Sequence, residues 1–416
     1  MKYQTTTIGS FVSARQAHIQ TGPFGTQLKA SNYVESGTPV INVRNIGYGS
    51  LIQDKLEFVN EDTKHRLSVH LIQKGDIVFG RKGAVDRHLF VSEQQANWMQ
   101  GSDCIRLRFS SEKINTQYIS CAFLSETHRK WMLTQSGNKA TMASLNQNII
   151  KRINIYLPPL IIQNKIAGTI SYYDDLINVN GQRIQLLEET ARLLFREWFV
   201  YFKFLDREKV KIVDRGGRNM PAEWEYLPFA KVKLFKKAPL GVPVFTDTRQ
   251  YCQTSEIDGT SITGKGEEVD YESRPSRADI APRINTVYFA KMKDTDKVLY
   301  FNKGNSDLLE KILLSTGMVG FTTEEKYLGF LFGLLTSYEF VQYKNNFATG
   351  ATQVSLNDAS LKKIKVLLPT LNLVELYSEI VNPLLEECSL LRSQNQKLTY
   401  ARDLLLPRLM SGAIEV

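Results

Sequence analysis

The chain has 416 residues, 43% hydrophobic and 23% charged, with 52 Lys and Arg against 43 Asp and Glu. That composition excludes collagen-like and disordered chains, and at about 100–200 residues per domain the length predicts two to four domains. The net charge of +9 permits a polyanionic partner without demanding one.

No run approaches the roughly 18 apolar residues of a membrane span, and the start, MKYQTTTIGS, lacks an export pattern. Cys104, Cys121, Cys252 and Cys388 lie far apart, with no CxxC pair and no His at zinc spacing. A reducing cytoplasm is therefore expected, with neither a disulfide framework nor structural zinc. His65 and His70, five apart, would point in different directions on a helix and read as surface histidines.

Residues 1–146 form a mixed α/β region holding 17 Lys and Arg against 11 Asp and Glu. Thr38–Arg44 and Asp76–Phe79 read as strands between turn glycines, and 116–133 as a helix carrying Tyr118, Phe123 and Trp131. Arg81, Lys82 and Arg87 occupy a Gly-bearing loop just after a strand. Such a loop can set cations on phosphates and Arg forks on guanine edges. Thr26, Lys29, Arg44 and Lys139 complete the candidate DNA contacts of this part.

Residues 147–205 read as a long helix after Leu157-Pro158-Pro159. Ile166, Ile170, Tyr173, Ile177, Asn180, Ile184, Leu187, Ala191, Leu194 and Trp198 alternate in steps of four and three, which predicts a coiled-coil seam. Gly168 and Gly181 weaken it by about 1 kcal/mol each relative to Ala. Asp174-Asp175 and Glu188-Glu189 are assigned to the outer face. Two independent amphipathic helices, here and at the C-terminus, would give the same periodicity.

Residues 206–357 are again mixed, with strands at Thr286–Ala290 and Lys297–Phe301 and a helix over Tyr327–Tyr343. Arg274, Arg277, Arg283 and Lys291 form a local basic cluster and are the candidate DNA contacts here. Gly259–Gly266 looks like a phosphate-binding loop, but Gly266 stands where such a loop needs the Ser or Thr that holds magnesium. In residues 358–416 a second seam runs through Tyr377, Val381, Leu384, Cys388, Leu391, Asn395, Leu398, Arg402 and Leu405. Arg402 sits poorly in a dry seam, so a phase shift to Ala401 is expected. Pro383 is expected to kink or open the helix.

A repeat organises these parts. Residues 140–146 (ATMASLN) match 351–357 (ATQVSLN), and IIKRINIYLP at 149–158 matches SLKKIKVLLP at 360–369, both at an offset of 211. The chain thus reads as two copies of one plan, although residues 1–139 and 206–348 show no alignable similarity. Similar units tend to pack about a twofold axis, which predicts paired antiparallel helices and a variable part at each end. Ile166 to Trp198 would span about 50 Å at 1.5 Å per residue, or roughly 15 base pairs of B-DNA.

No catalytic signature is present: no G-x-S-x-G, no H-E-x-x-H, and no Asn/Asp-Pro-Pro-aromatic motif. The motifs that do stand out are Gly22-Pro-Phe-Gly-Thr-Gln-Leu-Lys29, Gly37-Thr-Pro-Val-Ile41, Gly75-Asp-Ile-Val-Phe79 and Leu157-Pro-Pro-Leu160. Phe195-Arg-Glu-Trp-Phe199, Met220-Pro-Ala-Glu-Trp224 and Leu404-Leu-Leu-Pro-Arg-Leu-Met-Ser-Gly412 follow.

In their order, and with the half-length repeat, these motifs resemble the specificity (S) subunits of type I restriction–modification systems. The resemblance implies an α+β chain of two mixed α/β target recognition domains, 1–146 and 206–357. Two shared helical regions, 147–205 and 358–416, would form an antiparallel coiled coil with pseudo-twofold symmetry. It implies a noncatalytic subunit that reads a bipartite double-stranded DNA target for two modification subunits and for restriction subunits. S-adenosylmethionine, ATP and magnesium would belong to those partners, and no cofactor or metal to this chain. Asp86 stands where the family often has Gly, and Arg274-Pro-Ser-Arg277 resembles a basic stretch of other second domains. A coiled-coil scaffold and a stand-alone DNA-modifying enzyme are the rival readings.

Overall fold

Asn146 and Asn357, which end the two repeated strings, each cap a short helix. Asn146 Oδ1 accepts the amide of Ile149 at 3.0 Å, and Asn357 Oδ1 that of Ser360 at 2.8 Å. The Leu before each Asn is buried, and each helix is followed by a strand, Asn154–Leu157 or Lys365–Leu368. The repeat therefore encodes an apolar plug, a helix cap and a strand, roles open to few residue types.

The computed structural model describes residues 4–53, 55–137, 144–349 and 354–414. Two units emerge, Met1–Leu176 with Leu398–Val416, and Ile177–Lys397. In the first, Gln4–Thr7 pairs antiparallel with Asn154–Leu157, Gln4 lying opposite Leu157. A sheet follows in the order Ala17–Thr21, Cys104–Phe109, Ile77–Gly80, His88–Phe90, all antiparallel, with the short strand Tyr48–Gly49 at its edge. A second sheet runs Tyr33–Val34, Glu57–Val59, Thr38–Ile41, Met99–Gln100, and only its last pair is parallel.

The second unit repeats this plan. Glu225–Pro228 pairs with Lys365–Leu368, Glu225 opposite Leu368. The main sheet runs Phe235–Lys237, Met318–Thr323, Thr286–Ala290, Val298–Phe301, and the second sheet Glu267–Val269, Arg249–Cys252, Ile312–Leu314, again ending in a parallel pair. The front parts that share no alignable sequence thus share the order, direction and register of these strands, while Tyr33–Val34 and Tyr48–Gly49 extend the sheets of the first unit alone. Alternation on a pleated sheet constrains side-chain class, not identity, so the topology survives where the letters do not.

Each unit also carries a helix pair where the sequence pattern predicts one helix. Thr116–Phe123 is followed by Glu126–Ser136, and Leu328–Thr336 by Tyr338–Phe347. A serine makes each break. Ser125 Oγ accepts from His128 N at 3.3 Å, and Ser337 Oγ from Phe340 N at 3.2 Å.

The long helices are Leu160–Phe195, continued by a π-turn at Arg196–Val200, and Leu371–Ser411. Within the second unit they are antiparallel. Tyr377 donates its hydroxyl to Ala191 O at 2.7 Å, the Cys388 thiol lies 3.7 Å from Ile184 O, and Asn180 Nδ2 reaches Asn395 Oδ1 at 2.8 Å. Within the first unit, Arg402 binds Asp174 at 2.6 Å, while Ile166 and Ile170 share a core with Leu406 and Leu409.

Of the seam positions, Ile166, Asn180, Ile184, Tyr377, Val381 and Leu391 are buried. Tyr173, Ile177, Leu187, Leu194, Asn395, Leu398 and Leu405 are half-buried.

Several expectations need correction. Leu384 is half-buried, whereas Leu385 is fully buried, so the contact line passes one residue on. Arg402 keeps its place by pairing with Asp174 and Asp403. Pro383 does not open its helix. It is exposed, as is Glu379, whose carbonyl a proline leaves without an amide donor, so water can satisfy it. Glu188 is not on the outer face. It is buried and paired with Arg392 at 2.6 Å. His70 is buried as well. No helix among the described residues is long and apolar enough to cross a membrane.

Candidate nucleic-acid interface

An inner strand of each main sheet ends in a hairpin of the same length and register. Phe79 pairs with His88, and Phe289 with Val298, so each loop is carried by the same register. The loops read Arg81-Lys-Gly-Ala-Val-Asp-Arg87 and Lys291-Met-Lys-Asp-Thr-Asp-Lys297, each beginning with a cation and ending in Asp followed by a cation. Gly83 and Asp294 supply the left-handed backbone that closes each turn, at φ 73° and 55°.

The repeated motif holds both loops at their base. Leu145 N donates to Arg81 O at 2.8 Å, and Leu356 N to Lys291 O at 2.8 Å. Ser144 bridges Lys82 as Ser355 bridges Met292. Arg81 N in turn donates to Asp103 O, and Lys291 N to Gly317 O. Arg81 and Lys291, which sequence reasoning selected separately, therefore occupy one structural position in two units.

In the first unit, Arg87 lies over the ring of exposed Tyr48 at 5.2 Å, and Arg129 over the same ring at 4.0 Å. Tyr48 Oη donates to Asp86 at 3.0 Å and accepts from Arg129 Nη2 at 2.8 Å. Arg129 also pairs with Asp86 at 3.2 Å. Lys82 is matched by Asp103 at 3.2 Å, and Arg44 by Glu57 at 3.1 Å. Thr26 and Lys29 are exposed in a separate loop. Lys139 lies outside the described residues.

In the second unit, Arg277 and Lys291 line one cleft of about 460 Å³ with Gln253, Thr254, Thr316 and Ser355. The Thr254 hydroxyl is buried there without a hydrogen-bond partner. Burial first, and the charge of Lys237 second, hold Lys291 below the ordinary lysine pKa, while Asp358 opposes them. Arg274 stacks on Tyr271 at 4.1 Å and faces Asp279 at 3.8 Å, so its charge is partly spent internally. Arg283 is exposed and outside the lining of this cleft. Among the described residues no carboxylate lies within ion-pairing distance of Arg81, Arg277 or Arg283.

Sequence reasoning missed Tyr48, Arg129 and the polar cleft wall. The cation–Asp–cation pattern at an offset of 210 would have matched the loops, but nothing local marks Arg129, 43 residues from Asp86.

These surfaces suit binding of anions and base edges. The four buried thiols do not suit nucleophilic chemistry, since burial raises the pKa of Cys104, Cys121 and Cys252 to about 12 and of Cys388 to about 11. In the Gly259–Gly266 loop the Glu256 carboxylate accepts from Gly266 N at 3.0 Å, where a phosphate-binding loop would leave its amides free.

Residues 19–189 match the family described as the type I restriction modification DNA specificity domain. The chain is 22% identical to the type I restriction enzyme HindI specificity subunit of Haemophilus influenzae, over 90% of this chain and 94% of that protein. It is also 22% identical to the MjaIX specificity subunit of Methanocaldococcus jannaschii, over 86% and 82%. The crystal structure of a type I restriction–modification S subunit from M. genitalium shares the fold, with a TM-score of 0.57 at 14% identity, covering 98% of this chain and 96% of that one. Residues 19–189 thus match a specificity domain, and along most of its length the chain is similar to the specificity subunits of type I restriction–modification systems.

Proposed function

We propose that this noncatalytic chain reads a bipartite double-stranded DNA target and directs adenine methylation or cleavage by partner subunits. One observation carries the reading. Two units of the same topology each present a hairpin of the same register, opened by a cation, Arg81 or Lys291, that no carboxylate among the described residues pairs, and different side chains follow. Two such readers call for two half-sites. The readers are assigned to 1–146 and 206–357, and the helical regions to 147–205 and 358–416.

Arg81, Arg87, Arg277 and Lys291 are the principal DNA contacts in this reading, with Arg283 on the flank. Lys82, Arg44 and Arg274 begin from internal ion pairs and contribute by exchanging them for phosphate. Thr26, Lys29 and Lys139 are contacts of lower rank. The modification subunits, two by analogy, would dock on the long helices. Val179, Leu186 and Leu193, seven apart and 57%, 65% and 40% exposed, form an apolar stripe in the second unit that suits a partner helix. S-adenosylmethionine, ATP and magnesium would be held by modification and restriction subunits, and the assembly would work on cytoplasmic DNA.

The test is methylome sequencing of cells expressing the chain with its modification partner. A bipartite adenine-methylated motif is expected. A contiguous motif, or none, would overturn the two-reader model.

A further inference from the structure

The two hairpins are anchored at their base by the repeated motif, yet what sets the position of their tips lies elsewhere. In both units it is a basic side chain from the second helix of the helix pair. Arg129, on Glu126–Ser136, grips Asp86 and the Tyr48 hydroxyl. Lys344, on Tyr338–Phe347, is buried and donates to Met292 O at 3.0 Å, to Thr295 O, and to Thr295 Oγ1 at 3.3 Å. The neighbouring Asn345 Oδ1 accepts from Asp294 N at 3.0 Å.

Two different chemistries perform the same task. In the first unit a guanidinium is forked to a carboxylate that is itself nearly buried, at 11% side-chain exposure. In the second an ammonium is sunk among carbonyl oxygens. A seven-residue loop without such a tether would sample many conformations, and an Arg or Lys on it would find phosphates without selecting bases. Base discrimination needs a fork held in place, since a displaced donor pair no longer matches one base edge.

We infer that Arg129 and Lys344 are positioning residues for sequence selectivity. Each fixes the hairpin of its own unit and governs one half-site, without itself needing to touch DNA. This rests on the reading of the hairpins as DNA contacts, and the experiment separates the two claims.

The complex with modification subunits is assayed on a library of targets randomised one base at a time in each half-site, and relative methylation is read by sequencing. Four variants are compared: Arg81→Gln, Arg129→Gln, Arg129→Lys and Tyr48→Phe. Arg129 and Tyr48 are partly exposed, so these changes spare the core. Arg129→Gln should lower selectivity at the first half-site roughly tenfold, with overall methylation of mixed targets retained and the second half-site unchanged. Arg129→Lys, which keeps the charge, should recover part of that selectivity, and Tyr48→Phe should lose less than Arg129→Gln.

If Arg81→Gln shifts first-half preference and Arg129→Gln does not, the hairpin reads DNA and the positioning role is wrong. If Arg81→Gln changes nothing, the hairpin is not the reader, and the broader assignment falls. Equal loss at both half-sites with Arg129→Gln would mark a folding defect and also overturn the positioning role, provided that the thermal midpoint falls with it. In the second unit, Thr295→Val removes the hydroxyl that Lys344 contacts, together with that hydroxyl's own bond to Met292 O at 2.8 Å, and avoids stranding a buried ammonium. It should relax the second half-site alone.

Discussion

Asn180 and Asn395 meet side chain to side chain at 2.8 Å, and Asn395 donates onward to Ile177 O at 3.1 Å. Each is the single Asn of its seam, and a polar pair at that level is satisfied only when the helices hold one register. Replacing Asn180 by Ala leaves Asn395 with an unmet acceptor. A loss of about 1 kcal/mol in unfolding free energy is expected. Replacing both by Leu should be neutral or stabilising, while broadening the hydrogen-exchange pattern of the helices as alternative registers become populated. Sharp, unchanged exchange in the double variant would show that apolar packing alone fixes the register.

Glu188 and Arg392 form a second such point, with side-chain exposures of 6% and 19%. Arg392 also donates to Tyr300 Oη at 2.7 Å and to Thr260 Oγ1 at 2.7 Å. Glu188→Leu strands the guanidinium and should cost about 3–5 kcal/mol. Glu188→Leu with Arg392→Met should recover most of that, because no buried charge remains. Denaturant unfolding of the single and double variants closes the cycle. Additive losses would show that the two side chains do not depend on one another.

Gly168 and Gly181 lie within the first long helix, and a Cβ built on either meets nothing within 4 Å. Gly168→Ala and Gly181→Ala should each raise stability by up to about 1 kcal/mol, read as a higher thermal midpoint. A fall in methylation with stability intact would instead show that a partner packs against the bare backbone there.

All five histidines, at 18, 65, 70, 88 and 128, belong to the first unit. Burial lowers the pKa of His88 to about 3, the positive His128 opposing its charge further, and burial alone lowers that of His128 to about 4. Both are neutral in the folded unit near neutrality. The unfolded chain binds protons near pH 6.5, so the contribution is complete above that value and is lost as pH falls towards 4 and 3. Hydrogen exchange of the first unit should therefore accelerate between pH 6.5 and 4 more than that of the second, after correction for intrinsic rates. His128→Phe should flatten the dependence. Equal acceleration in both units would remove histidine as its cause.

The parts of this architecture that could be read in sequence are those in which a backbone need selects a residue type. Asn146 and Asn357 cap helices, Leu145 and Leu356 fill cores, and both pairs stand out as matching strings. The heptad spacing likewise exposed the long helices. The shared sheets stayed hidden because strand pairing is satisfied by many sequences, and the breaks at Ser125 and Ser337 because the apolar period continues across them. Glu188 was misplaced because its partner lies 204 residues away, and Arg129 was missed because its role depends on an aspartate in another element. At the interface, strand-end cations such as Arg81 and Lys291 could be found from loop context. Which of the other basic residues were already neutralised, as Lys82 is by Asp103, required the folded chain.

The hairpins are gripped at their base through main-chain atoms, the carbonyls of Arg81 and Lys291 and the amides of Leu145 and Leu356. Main-chain atoms are the same whatever residue stands there. Mutation can therefore replace the lettering on each hairpin while its mounting stays intact. A lineage under pressure to change its recognition target could alter what one half of the site means without having to reinvent the scaffold that presents it.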